Sequence, residues 1–190
     1  MRLDVSGAIT AVWVTVGIVW TIGAVVAKTT KRVEPPGPRV VHTVLVTAAF
    51  FLLFSTRARL GPLVWRFVPE SHGIAYAGLA LTVAGAALAI WARVFLGGNW
   101  SSSVAIKENH TLVRTGPYAL VRHPIYSGFL LAGAGTAIAT GEARGVIALI
   151  LIFVAFRLKS RVEEGFMIEQ FGPAYEEYER HVKALIPFVL

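Results

Sequence analysis

The chain has 190 residues, of which 55% are hydrophobic and 15% charged, against about 25% charged residues in an ordinary soluble domain. That composition excludes a soluble globule and leaves room for one structural domain, a helical bundle with a modest polar appendage. The formal charge of +7 does not indicate nucleic acid, because the basic residues flank apolar runs and form no continuous patch. Cysteine is absent, which removes disulfides, thiolate nucleophiles and cysteine-ligated metals.

In chain order, uncharged runs occur at Ala8–Ala27, Val40–Thr56, Ile74–Ala92, Pro124–Gly141 and Gly145–Phe156, to be compared with about 20 residues for a bilayer-crossing helix. The first is too long for the apolar part of a cleavable signal and has Asp4 ahead of it, so it reads as a span. Pro35-Pro36-Gly37-Pro38 marks a stiff turn before the second run. Trp65 and Phe67, between the second and third runs, suit an interfacial belt. In the third run Gly78 and Gly85 are seven apart, a spacing that predicts close helix packing. Glu142-Ala143-Arg144 separates the last two runs, which predicts a tight helical hairpin. Its second member covers only about 18 Å at ~1.5 Å per residue, so Arg144 or Arg157 must snorkel or sit deep.

The expected fold is therefore an all-α integral membrane protein of about five transmembrane helices. Residues 1–92 supply the first three, and residues 93–190 supply a long connection, the hairpin and an amphipathic C-terminal helix. If sides alternate, segments 28–39, 93–123 and 157–190 carry 4, 4 and 5 Lys and Arg, whereas 1–7, 57–73 and 142–144 carry 1, 3 and 1. The excess of basic residues in cytoplasmic loops then predicts an outside N-terminus and a cytoplasmic C-terminus, with both polar segments on the cytoplasmic side.

Those two segments carry the candidate chemistry. The first runs Lys107-Glu108-Asn109-His110-Thr111-Leu112-Val113-Arg114-Thr115-Gly116-Pro117-Tyr118 and then Arg122-His123-Pro124-Ile125-Tyr126-Ser127-Gly128. Pro124 suits the first turn of a helix, whose N-terminus favours an anionic group. The second places Arg157, Arg161 and Glu164 on one helical face, beside Glu163, before Phe171-Gly172-Pro173-Ala174-Tyr175-Glu176-Glu177-Tyr178. Tyr175 and Tyr178, three apart, can fold their rings over a shared pocket. The five histidines, at 42, 72, 110, 123 and 181, form no closely spaced metal set, and no Gly-rich phosphate loop occurs.

In these residues the sequence resembles the isoprenylcysteine carboxyl methyltransferase and phospholipid methyltransferase superfamily of integral membrane enzymes. The resemblance rests on Leu112-Val113-x-x-Gly116-Pro117-Tyr118, Arg122-His123-Pro124-x-Tyr126-x-Gly128, Glu163-Glu164, and Phe171-Gly172-x-x-Tyr175-x-x-Tyr178, ending near Pro187. It implies S-adenosylmethionine as methyl donor on the cytosolic side and a lipophilic acceptor arriving from the membrane: a prenylcysteine-type carboxylate, a phospholipid amine or another lipid-like molecule. It further implies cofactor contacts from His123, Pro124, Tyr126 and the backbone of Gly116, Pro117 and Tyr118. Glu163 or Glu164 would take the amino group, and His110, Leu112 and Val113 would border the adenosine. Arg157 would hold the cofactor carboxylate or orient the acidic pair, and Glu177 and Lys183 would orient the acceptor. A sterol-type NADPH reductase shares Arg-His-Pro-x-Tyr-x-Gly but commonly has Asn and Glu where this chain has Ile125 and Phe129. A transporter or scaffold would place polar residues inside several spans, and the first three offer almost none.

Overall fold

The computed structural model describes residues 4–25, 30–33, 36–97, 105–107 and 111–189; His110 lies outside them. Among the described residues there are six α-helices: α1 (Val5–Val25), α2 (Pro36–Phe54), α3 (His72–Leu96), α4 (Pro124–Thr140), α5 (Ala143–Phe171) and α6 (Pro173–His181). Among the described residues three helices, α1, α2 and α3, are long and apolar enough to cross a membrane. The expected hairpin is present as α4 and α5. α5 does not stop with its apolar run at Phe156 but continues to Phe171, 29 residues in all, about 43 Å at ~1.5 Å per residue, and so carries Glu163 and Glu164 beyond the apolar run.

One element departs from the all-helical expectation. Strands β1 (Thr30–Val33) and β2 (Ala105–Lys107) pair antiparallel, with Thr30 opposite Lys107 and Val33 opposite Ala105. The connection after α1 and the connection after α3 thus satisfy each other's backbone groups. Three-residue and four-residue strands lack the length to register as a period-2 pattern.

Glycine sets the closest helix contact. A Cβ on Gly78 would sit 2.6 Å from Gly135 O, and one on Gly85 would sit 2.6 Å from Gly128 O. The relation is reciprocal: a Cβ on Gly128 would meet Ala89 N and Gly85 O at 2.6 Å, and Gly135 packs on Thr82 and Gly78. Two glycine pairs, each seven residues apart, therefore bring the α3 and α4 backbones into direct contact. At the centre of this seam Thr136 bonds Ala132 O, lies 3.3 Å from Thr82 Oγ1 and accepts the Trp13 indole N–H at 3.0 Å. Trp13 also meets Phe50 edge-on and Phe129 face-on, so one side chain of α1 touches α2 and α4.

Of the two arginines expected to snorkel or sit deep, Arg144 is the buried one. It is buried beside Glu142 and donates to the carbonyls of Leu52 (2.6 Å), Leu53 and Ser55 at the end of α2. The Leu52 and Leu53 carbonyls are among those that a helix C-terminus leaves unpaired, and Arg59 adds a second cation to Glu142 at 2.8 Å. Trp65 and Phe67 near this end are exposed.

Candidate functional site: a buried acid–histidine–arginine cluster

At the opposite end of α4 the chain must turn into a helix without an N–H at Pro124 and with His123 at the N-cap. The backbone N–H groups of Arg122 and His123 preceding it donate to Lys183 O (2.8 Å) and Ala184 O (2.9 Å). The C-terminal strip after α6 therefore holds the two residues in place, and Ser127 Oγ adds a bond to Leu185 O. With the backbone pinned, both side chains turn toward α5.

Arg122 donates to Glu164 Oε1 through Nε (3.0 Å) and Nη2 (2.6 Å), to Glu179 Oε1 (3.1 Å), and to the Val182 carbonyl (2.6 Å). His123 bridges the acidic pair. Its Nε2 is 3.1 Å from Glu164 Oε1 and its Nδ1 is 3.3 Å from Glu163 Oε2. Tyr126 donates its hydroxyl to Glu163 Oε1. Three donors thus converge on Oε1 of Glu164, while its Oε2 has no hydrogen-bond partner among the described residues. The Arg122 and Glu164 side chains are 7% and 10% exposed, whereas Glu163 remains 23% exposed, so the cluster is shut on the arginine side and open on the Glu163 side.

Burial penalises every charge here, yet the partners outweigh it. Burial disfavours the charged imidazole of His123, but its bonds and attraction to Glu163 and Glu164 hold its pKa above the ordinary 6.5. Burial likewise disfavours both carboxylates, and His123, with Lys159 and Tyr126 for Glu163 and Arg122 for Glu164, holds each below the ordinary 4.5. The pairing favours two ionised carboxylates around a protonated imidazole. The sign of the pH dependence follows. The contribution of His123 to stability is full below pH 6.5 and is lost as pH rises through its elevated folded value. That of the two glutamates is full above pH 4.5 and is lost as pH falls through their depressed values. Thermal melts in detergent should plateau between those limits and decline on the alkaline side above 6.5; His123→Gln should flatten the alkaline decline, and an unchanged slope would mean that another group titrates.

A ladder of rings extends from the cluster into the bundle. His123 stacks on Tyr126 (5.4 Å, 9°), Tyr126 on Phe156 (4.6 Å, 9°), and the His42 ring of α2 lies 5.9 Å from Phe156. Lys159 Nζ stands 5.9 Å from the centre of the Tyr126 ring. On the far side α6 buries Tyr175 and Tyr178, as their spacing predicts. Burial pushes the Tyr178 phenol up to about 12, and the protonated hydroxyl donates to Tyr118 O. Tyr118 packs with Ala92, Ile125 and Val113. Pro117 and Pro124 are fully buried, Leu112 is half-buried, and Gly116 has φ +60 with the Phe95 ring where a Cβ would stand.

Of the residues expected from sequence, His123, Pro124, Tyr126, Glu163 and Glu164 meet in one cluster, with Gly116, Pro117, Tyr118, Leu112 and Val113 in the adjoining segment. Arg157 bonds within its own helix to Ser160 Oγ at 3.4 Å. Although Arg161 shares a face with Glu164, it is exposed where Glu164 is buried; the cation that pairs with Glu164 is Arg122. Glu177 is exposed and pairs with Arg180 and His181. Lys183 is exposed and presents its carbonyl, not its amine, to the cluster. Glu179 and the carbonyls of residues 182–185 enter the site without a sequence signal, since every residue has a carbonyl. His42 and Phe156 were equally hidden, being ordinary members of apolar runs.

The fold and site together define an integral membrane helix bundle with a charged, partly open cluster built at one end of a helical hairpin. The isoprenylcysteine carboxyl methyltransferase family matches residues 78–169, which include Arg122, His123, Tyr126, Glu163 and Glu164. A probable protein-S-isoprenylcysteine O-methyltransferase of Oryza sativa subsp. indica is 33% identical over 119 residues, covering 61% of this chain and 62% of the relative. The protein-S-isoprenylcysteine O-methyltransferase of Schizosaccharomyces pombe is 36% identical over 101 residues, 52% of this chain and 43% of that one. The human protein of the same name is 30% identical over 128 residues, 66% and 45% respectively. The matched part of this chain thus spans less than two thirds of each relative. The solved eukaryotic intramembrane Ras methyltransferase, an isoprenylcysteine carboxyl methyltransferase, shares the fold, with a TM-score of 0.58 over 82% of this chain and 55% of that chain at 23% identity. Over residues 78–169 the chain is similar to the isoprenylcysteine carboxyl methyltransferase family.

Proposed function

We propose that this protein transfers a methyl group from S-adenosylmethionine to the carboxylate of a lipophilic, prenylcysteine-type acceptor at the cytoplasmic membrane surface. The observation that carries the proposal is the Glu163–Glu164 pair, ionised around His123, with Glu164 Oε2 lacking a partner among the described residues. A free carboxylate oxygen beside an aromatic stack suits a ligand that carries an ammonium and a sulfonium. The donor set therefore fits S-adenosylmethionine. When bound, it supplies an electrophilic methyl on sulfur.

The chain's own part is to bind, orient and keep dry. Glu164, fixed by Arg122 and His123, receives the amino group, and Glu163 and the Tyr126 ring flank the reacting end. The backbone of Gly116–Tyr118 would contact the cofactor, Leu112 and Val113 would border the adenosine, and Arg157 would take the carboxylate. His123 acts by holding both glutamates, because each of its ring nitrogens already faces one of them. In-line displacement needs alignment in a dry site and no protein nucleophile. α4 and α5 complete five crossings, and the basic-residue excess sets the cluster end in the cytoplasm.

Calorimetry on detergent-purified protein tests this reading. S-adenosylmethionine and its demethylated product should bind saturably, and Glu164→Ala should weaken them at least tenfold, about 1.4 kcal/mol or more. Binding of NADPH in their place would reject methyl transfer in favour of a reductase.

A further inference from the structure

α2 carries a polar side chain that the proposed chemistry has so far left unused. His42 lies in an apolar helix face, and its Nε2 is buried with no hydrogen-bond partner among the described residues. Burying such an atom costs its hydration and returns nothing to the fold. Its position is not arbitrary. His42 stands at the inner end of the ring ladder, 5.9 Å from Phe156, which stacks on Tyr126 at 4.6 Å, which in turn bonds Glu163. The charged groups that act on it are Lys159 and Glu163 of α5. An unsatisfied imidazole nitrogen, which donates when it carries the ring proton, set in apolar surroundings and connected by packed rings to the methyl-transfer cluster, is suited to a ligand that is apolar along its length and polar at its head.

We propose that His42 is an acceptor-binding residue, its Nε2–H hydrogen-bonding one carboxylate oxygen of the lipophilic acceptor while the other oxygen faces the methyl donor. This rests on the methyltransferase reading and extends it by giving α2 a role in acceptor choice. In the transfer, a lone pair of the free carboxylate oxygen forms the new O–CH3 bond as the C–S bond breaks, and the breaking pair stays on sulfur. No proton is gained or lost, so a neutral His42 suffices. Once esterified, the head loses its charge and the bond to Nε2–H loses its charge assistance, which favours release of the ester. Phosphatidylethanolamine, whose reacting nitrogen is an amine, gains nothing from such a donor.

His42→Phe keeps the ring and deletes both nitrogens. The test measures equilibrium binding of N-acetyl-S-farnesylcysteine, its methyl ester and S-adenosylhomocysteine to wild type and His42→Phe in nanodiscs, with methyl transfer assayed in parallel. The expected result is at least tenfold weaker binding of the free acid, little change for the ester or for S-adenosylhomocysteine, and a melting temperature no lower than wild type because an unsatisfied polar atom is gone. His42→Gln, which restores a donor, should recover part of the acid binding. Equal binding of the acid by wild type and His42→Phe overturns the role of His42 while leaving methyl transfer intact. A lowered melting temperature with equal losses for all three ligands also overturns it, as a structural role. A wild type that binds neither S-adenosylhomocysteine nor the acid, and transfers no methyl, rejects the methyltransferase reading itself and His42 with it.

Discussion

Arg122→Ala should destabilise the detergent-solubilised protein by about 3–5 kcal/mol, the cost of breaking a buried ion pair by removing one partner. The guanidinium fork is saturated: Nε and Nη2 on Glu164, Nη2 also on Glu179, and Nη1 on the carbonyls of Glu179 and Val182. Removing it leaves Glu164 buried with His123 as its remaining donor and opens two carbonyls. Arg122→Lys should recover only part of the loss, because one ammonium cannot reproduce a planar fork. The control is a double-mutant cycle with Glu164→Gln. Once the carboxylate is neutral, Arg122→Ala should cost less than it does alone, since the uncompensated charge is gone. Additive losses would show that the pair is solvated and that its closeness has no energetic consequence. Binding of S-adenosylmethionine should fall with Arg122→Ala even at temperatures where the protein stays folded, because Glu164 then loses its fixed orientation.

The parts of this molecule that were legible in its sequence are those governed by local rules. Apolar run length gave the helices, and the seven-residue spacing of Gly78 and Gly85 gave the α3–α4 contact, because a missing Cβ on a helix face has few other uses in an apolar span. Motif order brought Arg122–Tyr126 and Glu163–Glu164 to one place, and Tyr175 and Tyr178 are both buried, as a three-residue spacing allows. What escaped depends on tertiary placement. Arg122 and Arg157 are both cations near the acidic pair in any helical reading, and only the bond from the Arg122 backbone to Lys183 O decides that Arg122 is the one turned inward. The β1–β2 ribbon is too short for periodicity, and His42 looks like any histidine in an apolar helix until its empty Nε2 is seen.

Deleting residues 182–190 should cost on the order of 5 kcal/mol and abolish binding of S-adenosylmethionine. Four donors would lose their acceptors at about 1 kcal/mol each: Arg122 Nη1 on Val182 O, Arg122 N on Lys183 O, His123 N on Ala184 O and Ser127 Oγ on Leu185 O. Leu185, 1% exposed, would add its burial, roughly 1.5–3 kcal/mol for a fully buried leucine. A second truncation separates the strip from the tail beyond it. Ending the chain after Ile186 keeps all four acceptors and removes Phe188 and Val189, which are 95% and 72% exposed, so it should leave both melting temperature and ligand binding near wild type. The family match ends at residue 169, ahead of α6 and of every one of these carbonyls. The residues most specific in sequence are therefore positioned in part by backbone carbonyls that lie beyond the family match. Substitutions within 182–185 that preserve the backbone should accordingly be tolerated, except at buried Ala184 and Leu185, while proline at 183 or 184 should twist the strip and reproduce much of the loss seen with its removal.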